Sequence, residues 1–289
     1  MIGRREDRLL QASSGLEGGI VASGSSCGVV SGGALGLALM HDNLLKKRGI
    51  AAEVGVLSLI GEYVRLFEES YGSSFCRERS GVDFYTAMGQ LRFFLPGDRV
   101  ARCFWHIRGS MRNLYDTYQE KNLLMTDAGL RKTQGEPIHC AQAVLKGIRN
   151  RTGIGDPLLE RLSFVFDGGV GLSGGACGAL AGAVMGINLL LGMNIHDTSF
   201  LQAFKSFIIG HVNLLRNEPV DEEPDPFSVG KNILEKFRKE AGATDCCKIT
   251  EKKFSDWTDF QKHMSSSDKC SGLIELATTE ASSVIQSLM

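Results

Sequence analysis

A glycine-rich stretch with a cysteine at its centre occurs twice in this chain, as Glu17-Gly-Gly-Ile-Val-Ala-Ser-Gly-Ser-Ser-Cys27-Gly-Val-Val-Ser-Gly32 and as Asp167-Gly-Gly-Val-Gly-Leu-Ser-Gly-Gly-Ala-Cys177-Gly-Ala-Leu-Ala-Gly182. When Cys27 is set over Cys177, the acid, the glycine pair after it and the glycine after the cysteine also coincide. Self-similarity at a fixed spacing is the signature of an internal repeat. The chain is therefore predicted to contain two copies of one unit.

The similarity continues downstream of these stretches. In a second register, Leu59, Tyr63, Val64, Phe67, Gly72, Cys76 and Phe84 align with Val229, Ile233, Leu234, Phe237, Gly242, Cys246 and Phe254. Cys103 and Cys270 form a further pair in a slightly shifted register. The register changes because the second copy carries an insertion, which includes the acidic, proline-broken run 217–226 and is predicted to be a solvated loop. We place the domains at residues 1–125, with three of the repeated cysteines, and 126–289, with four.

Composition excludes several classes of function. The 32 basic and 33 acidic residues nearly balance, so neither nucleic acid nor a charged membrane surface is an expected partner. The double arginine near the N-terminus lacks the apolar run of an export signal after it, which favours the cytoplasm. In that reducing compartment, the eight cysteines are expected to bind metal or do redox work rather than form structural disulfides.

The apolar segment 176–193 is at the short limit for a membrane span and is predicted to be a buried core helix.

Apolar residues recur at helical spacing through most of the chain. Val56, Ile60 and Phe67 belong to one face of an amphipathic helix, and Asp156 followed by Pro157 is a typical helix start. Another helix is predicted to begin near Cys140. Alternating strand patterns are scarce. The expected fold is all-α, with two similar helical domains related by a pseudo-twofold axis and no substantial sheet.

Each copy has glycines at steps of four after its central cysteine, at 28, 32 and 36 and again at 178, 182 and 186. Such a ladder forms one stripe along a helix and allows close approach of another backbone. The two ladder helices are expected either to cross each other at their stripes or to pack within their own copies. Cys27 and Cys177 are predicted to lie at the starts of these helices. There the backbone N–H groups and the helix dipole would lower the pKa of a thiol.

The second copy resembles a family of redox-active proteins named for four cysteines and a C-G-A-x-x-G core, which here reads Cys177-Gly-Ala-Leu-Ala-Gly182. The matched cysteines are Cys140, Cys177, Cys246 and Cys270. The resemblance implies a compact helical domain that binds a prosthetic group, such as an iron–sulfur cluster, through these residues. The first copy departs from the pattern, because Val29 replaces the core alanine and no counterpart of Cys140 is present.

The residues themselves leave the chemistry open. Four cysteines can ligate an iron–sulfur cluster or zinc, but these four are so far apart in the chain that their spacing identifies neither. In the first copy, Cys27, Cys76 and Cys103 are candidate metal ligands, with His106 as a possible fourth, although a lone histidine is more often a surface or core residue.

Our leading hypothesis is a redox or electron-transfer protein with a metal centre in the second copy. It would serve an oxidoreductase or a transporter-associated redox partner, and an oligomer is compatible with the sequence. Two alternatives remain: a thiol/disulfide relay, and a non-catalytic helical accessory protein with structural zinc or core cysteines.

Overall fold

The computed structural model describes residues 5–121, 136–216 and 224–289. Within these ranges the chain is helical with no strand, which confirms the all-α prediction. The helices are α1 (Asp7–Ser13), α2 (Gly28–Met40), α3 (Asp42–Arg48), α4 (Ile50–Tyr71), α5 (Cys76–Ser80), α6 (Ala87–Phe94), α7 (Asp98–Lys121), α8 (Cys140–Thr152), α9 (Pro157–Leu162), α10 (Gly178–Leu191), α11 (Phe200–Asn213), α12 (Pro226–Ala241), α13 (Cys246–Thr250), α14 (Trp257–Met264) and α15 (Asp268–Leu288). The predicted domain boundary at residues 125 and 126, and residues 217–223 of the predicted acidic loop, lie outside the described residues.

The order of helices in the first half (1–125) recurs in the second half (126–289). Helices α2 and α10 begin at equivalent positions of the repeat, directly after Cys27 and Cys177. The starts of α5, α6 and α7 coincide with those of α13, α14 and α15 in the register that aligns Cys76 with Cys246. Helix α8 has no counterpart in the described part of the first half, whereas α11 belongs to the insertion of the second half. The helical pattern of the described residues is therefore that expected of a duplication.

The two glycine ladders have different surroundings. A Cβ atom on Gly182 would lie 2.8 Å from the carbonyl oxygen of Ala141, and one on Gly186 would lie 2.5 Å from Cδ1 of Ile148. Both neighbours belong to α8, so the ladder of α10 packs within its own half. Among the described residues, a Cβ atom on Gly32 or Gly36 would meet nothing within 4 Å. The hypothesis that the two ladders cross is therefore wrong, because α8 covers one stripe and the other faces open space.

A left-handed turn precedes each helix-starting cysteine. Residues 18–22 and 168–172 all have φ between 48° and 85°. Glycine adopts this region freely, whereas β-branched residues such as Ile20 and Val21 do so only when their surroundings hold them there. Both side chains are at most 1% exposed, so tertiary packing supplies that restraint. The glycine-rich sequence predicted turns at these places but not their handedness.

Contacts between the halves centre on these turns. Val21 packs against Gly230 of α12, and Gly171, in the corresponding turn, packs against Ile60 of α4. In the first pair the turn supplies the large residue and α12 supplies the glycine. In the second pair the turn supplies the glycine and α4 supplies the large residue. Nearby, Arg77 places its Nη2 2.9 and 2.8 Å from the two carboxylate oxygens of the buried Asp245. Among the described residues no helix has the length and hydropathy to cross a membrane.

Candidate functional site

An isolated antiparallel bridge in each half fixes the spacing of two cysteines. In the second half the bridge joins Ala176 to Asp245. The N–H of Cys177 donates to the carbonyl oxygen of Thr244 at 2.9 Å, and the N–H of Cys246 donates to that of Gly175 at 2.6 Å. This pattern makes the two cysteines diagonal neighbours on one face of the bridge, with Cβ atoms about 7–8 Å apart or slightly less. They face the same side of the bridge, and neither forms a disulfide.

All four cysteines predicted from the resemblance line one cavity. Cys140 enters from the first turn of α8, and Cys270 from the first turn of α15, beside Cys177 and Cys246. The cavity has a volume of about 20 Å³, and its other walls include Phe254, Phe260 and Met264. The structure therefore brings together four residues from distant parts of the second half.

The four sulfur atoms do not converge on one point. Sγ of Cys140 lies 3.7 Å from Sδ of Met264, and Sγ of Cys270 lies 3.6 Å from Nε2 of His263. In the described part of the chain, no three histidine, cysteine, aspartate or glutamate side chains are close enough to hold a metal ion. The cavity offers sulfur donors in the number that a metal centre needs, but they would have to move inward to bind one.

Burial keeps the thiols of Cys140, Cys177 and Cys246 protonated. It raises the pKa of Cys140 and Cys246 well above the ordinary value, and the neighbouring cysteines raise the pKa further. Burial also raises the pKa of Cys177 to about 11, against the lowering effect of the backbone N–H groups of Leu180 and Ala179. The prediction that the helix start lowers the pKa of Cys177 is therefore wrong, because desolvation outweighs the helix terminus.

A buried histidine–carboxylate pair adjoins the four-cysteine cavity. Nδ1 of His139 lies 2.7 Å from Oδ2 of Asp167, and its Nε2 lies 3.4 Å from Oε2 of Glu53 in the first half. Burial disfavours the charged imidazole, but the two carboxylates outweigh it and raise the pKa of His139 to about 10. The sequence analysis missed this pair. The available signal was the repeated acid before the glycine pair, together with a histidine next to Cys140.

The first half repeats the bridge but not the complete site. Ser26 pairs with Phe75, which places Cys27 and Cys76 on one face. These two cysteines and Cys103 line a second cavity, of about 390 Å³. Burial raises the pKa of Cys76 and of Cys103.

His106 is not among the residues that line this second cavity. Its ring lies 4.4 Å from that of Tyr71, between ring centroids, and it also contacts Arg79. The structure thus gathers three of the four ligand candidates of the first half.

Cys247, adjacent to Cys246, lies outside both cavities and packs against Gly174.

A second histidine–carboxylate pair borders the first-half cavity. Nε2 of His211 lies 2.9 Å from Oε1 of Glu17, and its Nδ1 lies 3.0 Å from Oε1 of Gln90. Glu17 corresponds to Asp167 in the register that aligns Cys27 with Cys177. The histidines come from unrelated places, since His139 directly precedes α8 and His211 lies on the inserted α11. Each half therefore pairs its repeated acid with a histidine, which no local pattern indicated.

Comparison with known proteins gives one match. A family model described as "Putative redox-active protein (C_GCAxxG_C_C)" matches residues 1–92 and 138–284. The second range includes all four cysteines of the smaller cavity, and the first includes Cys27 and Cys76. The family name writes its core as G-C-A-x-x-G, whereas in this chain Gly178 separates Cys177 from Ala179. No curated protein matches the chain, and no solved structure does.

Proposed function

Because the chain belongs to the putative redox-active protein family C_GCAxxG_C_C, we propose that its second half holds a redox centre ligated by Cys140, Cys177, Cys246 and Cys270. The observation that carries the proposal is the shared cavity, which all four side chains line from separate helices. Thiolate sulfur is a preferred ligand of iron–sulfur clusters and of zinc, and four cysteines complete either coordination shell. An iron–sulfur cluster, when bound there, would supply one-electron transfer.

The size of the cavity bears on which centre binds. A volume of 20 Å³ accommodates one atom-sized guest, so a single ion needs only the inward movement of the sulfurs. An iron–sulfur cluster needs the cavity to widen as well, and Met264 and Cys270 adjoin the short connection between α14 and α15. The donor set fits both kinds of centre.

Electrostatics also support a cationic occupant. The neighbouring cysteines contribute to the raised pKa of Cys140 and of Cys246. Once deprotonated, these thiolates would therefore repel one another. A metal ion replaces that repulsion with attraction, and its binding would release the thiol protons.

A thiol/disulfide relay receives less support from the geometry. A disulfide needs Cβ atoms about 3.5–4.5 Å apart, whereas Cys177 and Cys246 are held as diagonal neighbours. Protonated, buried thiols are also slow nucleophiles in exchange reactions. The metal centre is therefore the function that this site favours.

The test is metal and sulfide analysis of protein purified without oxygen, together with its visible absorption spectrum. The wild-type chain is expected to contain iron and sulfide and to absorb broadly in the visible range. Cys177→Ser is expected to lose most of the metal, because it removes one of four ligands. Cys247→Ser is the matched control, since this neighbouring cysteine lies outside the cavity, and it should retain the metal.

Three results would contradict this proposal. A colourless wild-type protein that binds zinc at the four cysteines would indicate a structural site. Protein that binds no metal but forms a reversible disulfide among these residues would indicate a thiol relay. Equal metal content in Cys177→Ser and Cys247→Ser would place the centre elsewhere in the chain.

A further inference from the structure

The first-half cavity corresponds in position to the four-cysteine cavity but is much larger, at 390 against 20 Å³. Matched residues line both: Gly18 and Gly168, Cys27 and Cys177, Gly28 and Gly178, Cys76 and Cys246, Phe84 and Phe254. In the second half, Cys140 on α8 and Met264 close the space. The described part of the first half has no helix equivalent to α8, and α11 forms a wall of the cavity instead.

Aromatic side chains dominate the walls of the first-half cavity. They are Phe84, Phe93, Phe104, Phe200, Phe204 and Phe207. Phe104 and Phe204, at 57% and 45% exposure, stand where the cavity meets solvent, so a small molecule can enter. Small-molecule sites in proteins commonly have volumes of about 300–1,000 Å³ and mostly apolar linings. Aromatic walls favour a flat, aromatic ligand, because stacked and edge-to-face ring contacts add to the burial of apolar area.

The polar side chains in the wall already bind one another. Apart from cysteines, the ionisable side chains among its described lining residues are Glu17 and His211, which bind each other at 2.9 Å. The second nitrogen of His211 faces Oε1 of Gln90, whose amide nitrogen donates to the carbonyl oxygens of Phe84 and His211. A charged ligand would therefore find neither Glu17 nor His211 free to pair with it. These contacts favour an uncharged molecule.

The sulfur of Cys27 differs from the other sulfur atoms in this cavity by its contact with an arginine. Nη1 of Arg79 donates a hydrogen bond to Sγ of Cys27 at 2.9 Å. A guanidinium has donors only, so the sulfur of Cys27 is the acceptor. In the register that aligns Cys76 with Cys246, the second half has Ile249 at the position of Arg79. This cation thus distinguishes the chemistry of the first-half cavity from that of the four-cysteine cavity.

We propose that the first-half cavity binds a planar, uncharged aromatic molecule and holds it against the sulfur of Cys27. The site is separate from the proposed metal centre, and the sulfur of Cys27 in its wall accepts a hydrogen bond from Arg79. The two sites can therefore be tested, and can fail, independently.

Binding is tested with N-phenyl-1-naphthylamine, a neutral aromatic fluorophore whose emission increases in apolar surroundings. Ala203 on α11 lines the cavity, so Ala203→Phe fills part of it. We expect wild-type protein to bind the fluorophore at one site and Ala203→Phe to bind it roughly tenfold or more weakly, a loss of about 1.4 kcal/mol. Lys205→Phe places the same side chain at an exposed position two residues along the helix and should bind like the wild type.

The position of the sulfur is tested with monobromobimane, which is also flat and uncharged. The cysteine thiol gives up its proton to the buffer, its sulfur forms a bond to the bromomethyl carbon, and bromide leaves with the electron pair. Mass spectrometry should find Cys27 labelled first among the first-half cysteines, and bound fluorophore should protect it while leaving Cys247 unprotected. Cys27→Ser should abolish that label and keep fluorophore binding, which shows that the variant is folded.

The proposal is overturned if Ala203→Phe and wild type bind the fluorophore equally, or if the fluorophore leaves the labelling of Cys27 unchanged. It is also overturned if the wild type is a dimer that excludes the fluorophore and Ala203→Phe makes it monomeric. That result would assign the cavity and its exposed phenylalanines to an interface between two copies of the chain.

Discussion

At the scale of single residues, equivalent positions have acquired different chemistry through their contacts. Cys27 and Cys177 both precede a glycine-ladder helix, but only the sulfur of Cys27 has a guanidinium beside it. Cys177 lies among three further cysteines, where burial raises its pKa to about 11. The acids at the head of the two stretches also differ, because Glu17 reaches His211 whereas Asp167 reaches His139. Residue type alone therefore does not define the role of a repeated position.

The buried pair of His139 and Asp167 gives a prediction about stability and pH. The pKa of His139 is raised to about 10 in the folded chain from about 6.5 in the unfolded chain. Its stabilising contribution is therefore complete below pH ~6.5 and is lost as the pH rises through about 10. In metal-free protein, His139→Asn should lower the free energy of unfolding near neutral pH by roughly 3 kcal/mol.

Urea unfolding of wild type and His139→Asn across this pH range checks the prediction. The difference between them should shrink as the pH rises, even though ionisation of the buried thiols lowers the stability of both proteins at alkaline pH. His196→Asn, at an exposed histidine, is the control and should follow the wild type. A constant difference between wild type and His139→Asn would contradict the assignment of a charged imidazole.

At the scale of helices, the two glycine ladders show how one sequence pattern can have two structural meanings. The ladder of α10 is covered by α8, whose backbone approaches Gly182 closely. The ladder of α2 faces open space at Gly32 and Gly36, because the first half has no helix in the place of α8 within the described residues. Among the described residues, no helix takes the place of α8 in the wall of the first-half cavity, which is the larger of the two. Whether a helix covers the ladder therefore changes both the packing and the candidate chemistry of one half.

Alanine substitution at equivalent ladder glycines should have effects of opposite sign. Gly182→Ala places a methyl group 2.8 Å from a carbonyl oxygen and 3.0 Å from the Cα of Ala141, so overpacking should lower the free energy of unfolding by about 1–3 kcal/mol. Gly32→Ala meets no neighbour and should raise it by about 0.5–1 kcal/mol, because alanine is the better helix former. Urea denaturation of the two variants tests this, and changes of the same sign would contradict the described helix contacts.

At the scale of the whole molecule, the two halves are joined by polar contacts as well as by the packing of their turns. Asp245 is almost fully buried and binds Arg77 and Ser25 of the first half, together with Lys248 of its own half. The hydroxyl of Ser26 also accepts a hydrogen bond from the N–H of Ala176 at 2.8 Å. The two antiparallel bridges are therefore adjacent, and each cysteine pair depends on contacts made with the other half.

Breaking the ion pair between the halves should destabilise the protein strongly. Arg77→Met leaves the Asp245 carboxylate buried without its main partner, and we expect the free energy of unfolding to fall by about 3 kcal/mol. Adding Asp245→Asn should recover part of this loss, since the uncompensated charge is then removed. A double-mutant cycle of urea denaturation curves measures the coupling energy.

Arg65→Met is the matched control, because Arg65 forms exposed ion pairs within α4. Such surface pairs contribute about 0–1 kcal/mol, so the change should be small. Equal effects of Arg77→Met and Arg65→Met would show that the buried pair does not connect the halves energetically.

The sequence by itself determined the helical class, the repeat and the set of cysteines that meet in the second half. Apolar spacing along a helix is a local property, so α4 and the start of α9 at Asp156 could be predicted from nearby residues alone. The absence of a counterpart to Cys140 was equally visible in the sequence.

Only the tertiary structure decided the backbone conformation of the turns, the partners of the two histidines and the sizes of the cavities. The left-handed turns depend on burial of Ile20 and Val21, and both histidine pairs join residues brought together by packing. The same holds for the cavities, whose sizes follow from whether a helix covers the ladder. These features depend on contacts between residues far apart in the chain, whereas sequence periodicity reports only which face of each helix is apolar.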